Sequence, residues 1–305
     1  MIFLAMAAAA VLFVLMVAGC SGQAVPETTD VPAVENQGFE TTELFIVGSD
    51  TCLEVTQLLV EEFLALHSGQ NLNMPVSGGG SGTGIAGLID GTADLANSSR
   101  PIKDEELQLG KENGLDIDEV TIAFDGISVI VNNENTLDAL TIEQISKIYT
   151  GEITDWSQVG GQGGAIVITS RDSSSGTYVF FREEVVQLGG EAKERDYSEQ
   201  ALLLASNAAI REEVGTNINA IGYIGLGYLD DSVKALGVKA DEGSEAAAPS
   251  VENIVAGSYP IARGLYVYTP QPVDQLSDLA QAYFGFVLSD SGQEIVAEVG
   301  FVPVK

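Results

Sequence analysis

The sequence predicts an α/β fold of two lobes, built on mixed and mostly parallel sheets. Three observations support this prediction. The chain has 305 residues, 45% of them hydrophobic, which is enough for about two domains with their own cores. Short β-branched apolar runs alternate with segments of helical periodicity, a pattern typical of parallel sheets. Two further apolar stretches, residues 120–132 and 260–268, are placed to cross between the lobes as strands.

The elements of the first part of the globular region follow in order. A strand at residues 44–47 precedes the sequence GSDT and a helix that runs to about residue 67. A strand at 72–76 precedes SGGGSGTG and a helix from about residue 85. A short strand at 93–96 then leads into NSSRP.

The later elements repeat this order. Residues 120–132 hold two strand runs separated by Asp125-Gly126, which we interpret as one long strand that changes sheets. The β-branched run 165–169 predicts a buried strand, and a helix follows from Tyr178. Residues 240–250, rich in Gly, Ala and Glu, predict a surface loop, and amphipathic helices finish the chain.

We divide the chain at changes in composition. Residues 21–43 predict a flexible tether, because their prolines, threonines and acids show no core-forming periodicity. Residues 44–124 and 260–305 are assigned to the first lobe and residues 125–259 to the second, with the two crossing strands as the hinge.

The N-terminus predicts export and attachment to a membrane. Residues 1–20 are an uncharged apolar run that ends at Val17-Ala18-Gly19-Cys20, which resembles a lipoprotein signal with Cys20 as the lipid attachment site. Secretory signals normally begin with basic residues, and this segment has none. Either the true start lies upstream, or the segment stays as an anchor somewhat shorter than the ~20 residues that span a bilayer. Each alternative places the domain outside the cytoplasm, tethered to the cell membrane.

The charge of the chain excludes some classes of partner. It has 44 acidic and 13 basic residues, a formal net charge of −31. Such a chain is repelled by nucleic acid and by anionic membrane surfaces, so neither is expected as a partner. Acidic runs are usually solvated faces, and the sequence has no Cys/His cluster, so we expect no metal site.

Four segments share one design, in which a strand end is followed by small hydroxyl or glycine residues and then by a helix. They are GSDT at 48–51, GSGTG at 80–84, NSSR at 97–100 and RDSSSGT at 171–177. Each offers hydroxyl and backbone N–H donors at the positive end of a helix dipole. Ligand sites in open α/β sheets lie beyond the carboxyl ends of strands, so we expect the four segments to converge around a small oxyanion.

A single Ser or Thr before a helix is usually no more than an N-cap. RDSSSGT is more specific, because a cap needs one hydroxyl and this segment has four beside an arginine. The repetition of the design at four strand ends therefore favours an anion site over four independent caps.

From about residue 44 to its C-terminus, the chain resembles the phosphate-binding protein of ABC phosphate importers. The motifs that carry the resemblance keep the family's order and are GSDT, GGGSGTGI, DLANSSRPI, IYTGEITDW, SRDSSSGTYVFF, AIGYIGLGYL and YPIARGLYVYT. The resemblance implies a type II periplasmic-binding-protein fold that captures inorganic phosphate and delivers it to ABC permease and ATPase subunits. It implies no cofactor, and we expect a monomer.

The resemblance also implies which residues contact phosphate. Carried over motif by motif, they are Ser49, Thr51, Cys52 through its backbone N–H, Ser81, Gly82, Ser99, Arg100, Arg171, Ser175, Gly176 and Thr177. Some members place an aspartate in the third loop to accept the phosphate proton, where this chain has Ser99. Asp50 or Asp172 is then the candidate acceptor, and another tetrahedral oxyanion of the sulfate, molybdate or tungstate class is the alternative ligand.

An enzyme is the first competing hypothesis, and the sequence disfavours it. Ser81 is not in a G-x-S-x-G elbow, because Thr83 occupies the second glycine position, and the only histidine, His67, lies at a helix end. Gly82 begins a lone G-x-G-x-x-G match, which is weak evidence for a nucleotide. Cys52 is either a reactive thiolate or a packed residue, and we favour packing. A tethered sensor or adhesion module on the same fold stays open as a third class.

Overall fold

The computed structural model describes residues 38–305. The predictions for residues 1–20, including Cys20, and for most of the 21–43 tether lie outside these residues. The strands of the described part are β1 (Ile46–Gly48), β2 (Val76–Ser77), β3 (Leu95–Ser98), β4 (Asp118–Val131), β5 (Ala139–Thr141), β6 (Val167–Arg171), β7 (Leu202–Leu204), β8 (Ala220–Gly225), β9 (Lys234–Ala235), β10 (Gly237–Lys239) and β11 (Ala262–Thr269).

Helices flank these strands. The α-helices are α1 (Asp50–Leu66), α2 (Ser81–Asp90), α3 (Asp104–Glu112), α4 (Ile142–Thr150), α5 (Gly176–Phe181), α6 (Asn207–Thr216), α7 (Val251–Val255), α8 (Asp278–Val287) and α9 (Asp290–Glu298). A π-helical turn, Arg182–Val186, continues α5. Within residues 38–305, no helix is both long enough and apolar enough to cross a membrane.

The strands form one curled sheet in the order β2-β1-β3-β11-β4-β8-β6-β7, with β9 also paired to β4. The pairs β1–β2, β1–β3, β6–β7 and β6–β8 are parallel, whereas β11 and β4 pair with their neighbours antiparallel. A separate parallel pair joins β5 and β10. The predicted α/β class with a mixed, mostly parallel sheet is confirmed.

One strand connects the two halves of the sheet. β4 is 14 residues long and pairs with β11 as far as Gly126, then with β8 from Ile127 onward. The change of partner falls at Asp125-Gly126, so this stretch is one long strand as expected, but it changes partners within a single sheet rather than passing from one sheet to another.

Two large apolar clusters lie on either side of this change of partner. One packs α1, α8 and α9 against β1 and β11, with Leu59 and Phe284 buried in it. The other includes Val129, Phe181 and Trp156, and the indole Nε1 of Trp156 donates to the carbonyl of Asn219 at 3.2 Å. We call the parts of the chain around these clusters the first and second lobe, and the residue boundaries given above stay a prediction.

Helix α2 begins earlier than the sequence suggested. We expected a start near Ile85, but the helix begins at Ser81, directly after Gly80 turns the chain with a φ of 92°. Glycine is the one residue that adopts this conformation without strain. The turn at Gly80 therefore lets the helix start four residues earlier than expected. Gly82 and Gly84 are therefore helical residues rather than loop residues.

Candidate functional site

The four predicted segments meet at the carboxyl ends of the strands. β1 and β3 are parallel neighbours, so GSDT after β1 and NSSR at the end of β3 lie side by side. RDSSSGT spans the end of β6 and the start of α5, and GSGTG opens α2 after β2.

Hydroxyl groups from three segments of the first lobe form one buried cluster. Ser49 Oγ donates to Ser99 Oγ at 2.9 Å, and Ser81 Oγ lies 3.4 Å from Ser99 Oγ. The backbone N–H of Ser99 donates to Ser81 Oγ at 3.0 Å. All three side chains are at most 2% exposed, so their hydrogen bonds are shielded from water.

The fourth segment joins this cluster from the second lobe. Thr177 Oγ1 lies 2.9 Å from Thr51 Oγ1, although the two residues are 126 positions apart in the chain. Gly176 packs against the serines so closely that a Cβ on it would contact Ser81 Oγ and lie 2.8 Å from Ser99 Oγ. Only glycine fits here without displacing the two hydroxyls.

Two of the predicted residues also cap helices. Ser49 Oγ accepts the backbone N–H groups of Thr51 at 3.2 Å and Cys52 at 3.4 Å, at the start of α1. Ser175 Oγ accepts the N–H of Tyr178 at 3.4 Å, at the start of α5. Burial raises the pKa of the Cys52 thiol to about 12, and this fully buried side chain is packed rather than ionised at neutral pH.

Arg171 brings the positive charge. Its side chain is 1% exposed, and Nη2 donates to Asp50 Oδ2 at 2.8 Å and to the carbonyl of Ala205 at 2.9 Å. Asp50 Oδ1 accepts the N–H of Gly79 at 3.1 Å, so the carboxylate links the arginine to the first lobe. Among the described residues, Nε and Nη1 of Arg171 have no hydrogen-bond partner.

Other predicted residues are turned to different partners. The guanidinium of Arg100 makes two hydrogen bonds to Glu106, at 2.8 and 2.6 Å. Burial is the largest single influence on the pKa of Glu106 and raises it, but the hydrogen bonds from Arg100 and the Lys103 backbone, with the charges of both residues, together outweigh burial and lower this pKa. The N–H of Gly82 donates to the carbonyl of Ser174 at 3.2 Å, and Asp172 Oδ1 accepts the N–H of Ser174 at 2.9 Å.

Three residues that were not among the predicted phosphate contacts also connect the lobes at this point. Asn207 Nδ2 donates to Thr51 Oγ1 at 3.5 Å, Tyr228 OH to the carbonyl of Asp50 at 2.8 Å, and Ser174 Oγ to that of Gly79 at 3.2 Å. A signal for Asn207 existed, because it starts α6 after a two-residue connection from β7, with Ser206 as the cap, and so repeats the strand-end design a fifth time.

The chemistry of the site is that of a binding site rich in donors. His67 lies at the end of α1 with Nδ1 2.8 Å from the carbonyl oxygen of Phe63, and it is not part of the hydroxyl cluster. Within residues 38–305, no group of three or more His, Cys, Asp or Glu side chains is placed to hold a metal ion. Buried hydroxyls with an arginine and helix N-termini suit a small oxyanion.

Comparisons with known proteins identify the family. A model described as a PBP superfamily domain matches residues 33–291. The phosphate-binding protein PstS of Staphylococcus saprophyticus is 35% identical over 263 residues, 84% of this chain and 78% of that protein. PstS of Pseudomonas aeruginosa is 29% identical over 310 residues, 97% of this chain and 94% of that protein.

A solved structure agrees with both. The crystal structure of a phosphate ABC transporter substrate-binding protein from Clostridium perfringens, with bound phosphate, has a TM-score of 0.74 at 33% identity. That match covers 86% of this chain and 100% of the other. The predicted two-lobed periplasmic-binding-protein fold is confirmed, and the chain belongs to the PBP superfamily, in the family of the phosphate-binding protein PstS.

Proposed function

We propose that this protein is an extracytoplasmic receptor that captures inorganic phosphate between its two lobes and delivers it to an ABC importer. The observation that carries the proposal is the convergence of Ser49, Ser81, Ser99 and Thr177 at one buried point, with Arg171 joined to the same place through Asp50. The phosphate-binding relatives give the ligand class.

Capture proceeds by hydrogen bonding from both lobes. The hydroxyls that now bond to one another turn their protons to the anion, and the free donors of Arg171 supply its counter-charge. Micromolar affinity requires about 8 kcal/mol, and charge-assisted hydrogen bonds contribute roughly 1.5–3 kcal/mol each. A few such contacts suffice after the ordering and desolvation costs. Because the anion contacts both lobes, it stabilises their closure.

Phosphate is favoured over sulfate, molybdate or tungstate, because the similar proteins named above are phosphate-binding proteins. Asp50 and Asp172 stay the candidate acceptors of the phosphate proton. Asp50 is the better candidate, because its Oδ2 is already bonded to Arg171, whereas Asp172 bonds to its own loop.

The remaining contacts belong to the same proposal. Backbone N–H groups come from Cys52, Gly82 and Gly176, and a hydroxyl comes from Ser175. Arg100 contributes positive charge while it stays paired with Glu106. The similar proteins are binding proteins, which supports a receptor rather than an enzyme.

The protein is further proposed to act as a monomer tethered to the cell membrane. The apolar N-terminus that ends at Cys20 supports the tether, through a lipidated Cys20 or an uncleaved segment. Its partners are then the permease and ATPase subunits of the importer. The net charge of −31 supports the expectation that neither nucleic acid nor the lipid surface is a partner.

The test is calorimetric titration of the purified protein with phosphate, sulfate, molybdate and tungstate. We expect phosphate to bind at micromolar concentration or below and the other anions at least ~100-fold more weakly. Equal or tighter binding of another anion would reverse the assignment. Incubation with a phosphate ester should release no product.

A pair of arginine variants tests the site itself. Arg171→Met should weaken phosphate binding at least ~100-fold, because it removes charge-assisted donors from a buried position. Arg182→Met is the control, since Arg182 is 34% exposed and pairs with Asp196 on the surface of the second lobe. Undiminished affinity in Arg171→Met would refute the site.

A further inference from the structure

Strands β4 and β11 are joined by a fully buried ion pair. Asp125 on β4 and Arg263 on β11 are direct partners across the antiparallel pair. Nε and Nη2 of Arg263 donate to Asp125 Oδ2 at 3.1 and 2.8 Å, and the two side chains are 1% and 0% exposed. The pair therefore lies where β4 changes partner from the first half of the sheet to the second.

This ion pair also holds segments that carry the anion site. Arg263 Nη1 donates to the carbonyl of Ser99 at 2.8 Å, in the third loop of the first lobe. Asp125 Oδ1 accepts the N–H of Leu226 at 2.9 Å, at the end of β8 in the second lobe. The guanidinium carbon of Arg263 lies 5.7 Å from the ring centroid of Phe180, in the helix α5 that Gly176 and Thr177 begin.

Close packing also places the end of β8, in the second lobe, against Asp125. Gly225, the last residue of β8, leaves so little space that a Cβ on it would lie 3.1 Å from Thr51 Cγ2 and 3.2 Å from Asp125 Oδ2. One buried carboxylate therefore contacts the end of β8 beside the threonine that bonds to Thr177. The ion pair is therefore in contact with segments of both lobes that lie next to the hydroxyl cluster.

Stability alone is a weak explanation for such a pair. The cost of removing two charges from water offsets most of their attraction, so apolar residues of similar size would stabilise the fold equally well. Hydrogen bonds to charged groups fix direction as well as distance. What the pair adds is a fixed orientation of the Ser99 carbonyl relative to the end of β8.

We propose that Asp125 and Arg263 are positioning residues of the anion site. They act through Ser99 and the end of β8, and they hold the hydroxyls of the two lobes in register for a shared ligand. The identity of that ligand as phosphate rests on the function proposed above. Arg263 binds no anion itself, because its Nε, Nη1 and Nη2 already have partners.

The test removes both charges together, so that neither is left buried without a partner. The double variant Asp125→Asn with Arg263→Gln is compared with Glu143→Gln with Arg195→Gln, a pair 3.2 Å apart within the second lobe. Two measurements are made: hydrogen exchange of peptides covering residues 97–101 and 225–228 without added anion, and phosphate affinity by calorimetry where each variant is fully folded.

We expect faster exchange confined to these two segments and a phosphate Kd at least ~10-fold higher in the Asp125/Arg263 variant, within the range of coupling between contacting residues. The Glu143/Arg195 control should change neither. Arg263→Lys supplies a milder second variant, because one ammonium group cannot replace the separate bonds to Asp125 and Ser99. Its phosphate Kd should lie between that of the unmodified protein and that of the Asp125/Arg263 double variant.

Three outcomes would overturn the proposal. Unchanged exchange in both segments, faster exchange throughout the chain, or local exchange with an unchanged Kd would make the pair merely structural. If the unmodified protein binds no phosphate, the proposed function fails, and the exchange measurement alone decides the positioning role.

Discussion

At the scale of single residues, the site depends on a missing side chain as much as on those present. Gly176 allows α5 of the second lobe to approach Ser81 and Ser99 of the first. Its own N–H and the hydroxyl of Thr177 follow at the start of that helix, where donors without helical partners collect. Because Gly176 has no Cβ, the donors of the two lobes can lie close together.

The substitution Gly176→Ala tests this. The added Cβ would clash with Ser81 Oγ and lie 2.8 Å from Ser99 Oγ, so we expect phosphate affinity to fall at least ~100-fold by calorimetry. The control is Gly285→Ala in α8, where a Cβ meets nothing within 4 Å. That variant should bind normally and gain up to about 1 kcal/mol of stability, since alanine favours helix. Normal affinity in Gly176→Ala would contradict the close approach.

At the scale of elements, the same kind of serine cap begins two helices, one beside the hydroxyl cluster and one away from it. Ser175 caps α5 and Ser277 caps α8 in the same way, each accepting the N–H three residues on, at 3.4 and 3.3 Å. Only Ser175 lies in a segment that reaches the hydroxyl cluster. Capping and anion binding can therefore be separated by experiment.

We predict that Ser175→Ala and Ser277→Ala each lower the free energy of unfolding by about 1 kcal/mol, the usual cost of losing an N-cap. Denaturant titration measures this loss. Phosphate affinity should fall roughly tenfold in Ser175→Ala alone, because one donor to the anion disappears with the cap. If the two variants bind phosphate equally well, Ser175 is only a cap.

The elements also show how far the sequence predicts the site. The hydroxyl-rich strand ends were recognisable because donors recur at helix starts, and the structure brings their serines and threonines together. The direction of Arg100 was not recognisable, since its partner Glu106 is six residues away and belongs to the next helix. Asn207 was missed because its segment has neither a glycine nor an arginine to distinguish it from an ordinary cap.

At the scale of the whole molecule, acidic surface charge and local ion pairs act in opposite directions. A formal net charge of −31 makes the folded chain repel itself near neutral pH. Hydrogen bonds from Arg195 lower the pKa of Glu143, and those from Arg182 lower the pKa of Asp196. A carboxylate with a lowered pKa contributes stability above its unfolded pKa and loses it as pH falls through the folded value.

Thermal unfolding should show both effects. Added sodium chloride should raise the melting temperature near neutral pH by screening the repulsion. Below about pH 4, where unfolded carboxyls begin to take up protons, the melting temperature should fall. This decrease in melting temperature should be smaller in the Glu143→Gln, Arg195→Gln variant, which lacks one of the pairs. A salt-induced decrease at neutral pH would show that attractive pairs dominate instead.

The chain has a single tryptophan, and Trp156 is buried in the cluster of the second lobe with its indole bonded to Asn219. Excitation at the long-wavelength end of protein absorption, where only tryptophan absorbs, therefore selects this one side chain. Its emission is a built-in optical probe of the melting of that lobe alone, and a tryptophan placed in the first lobe would supply the matching signal for the other half.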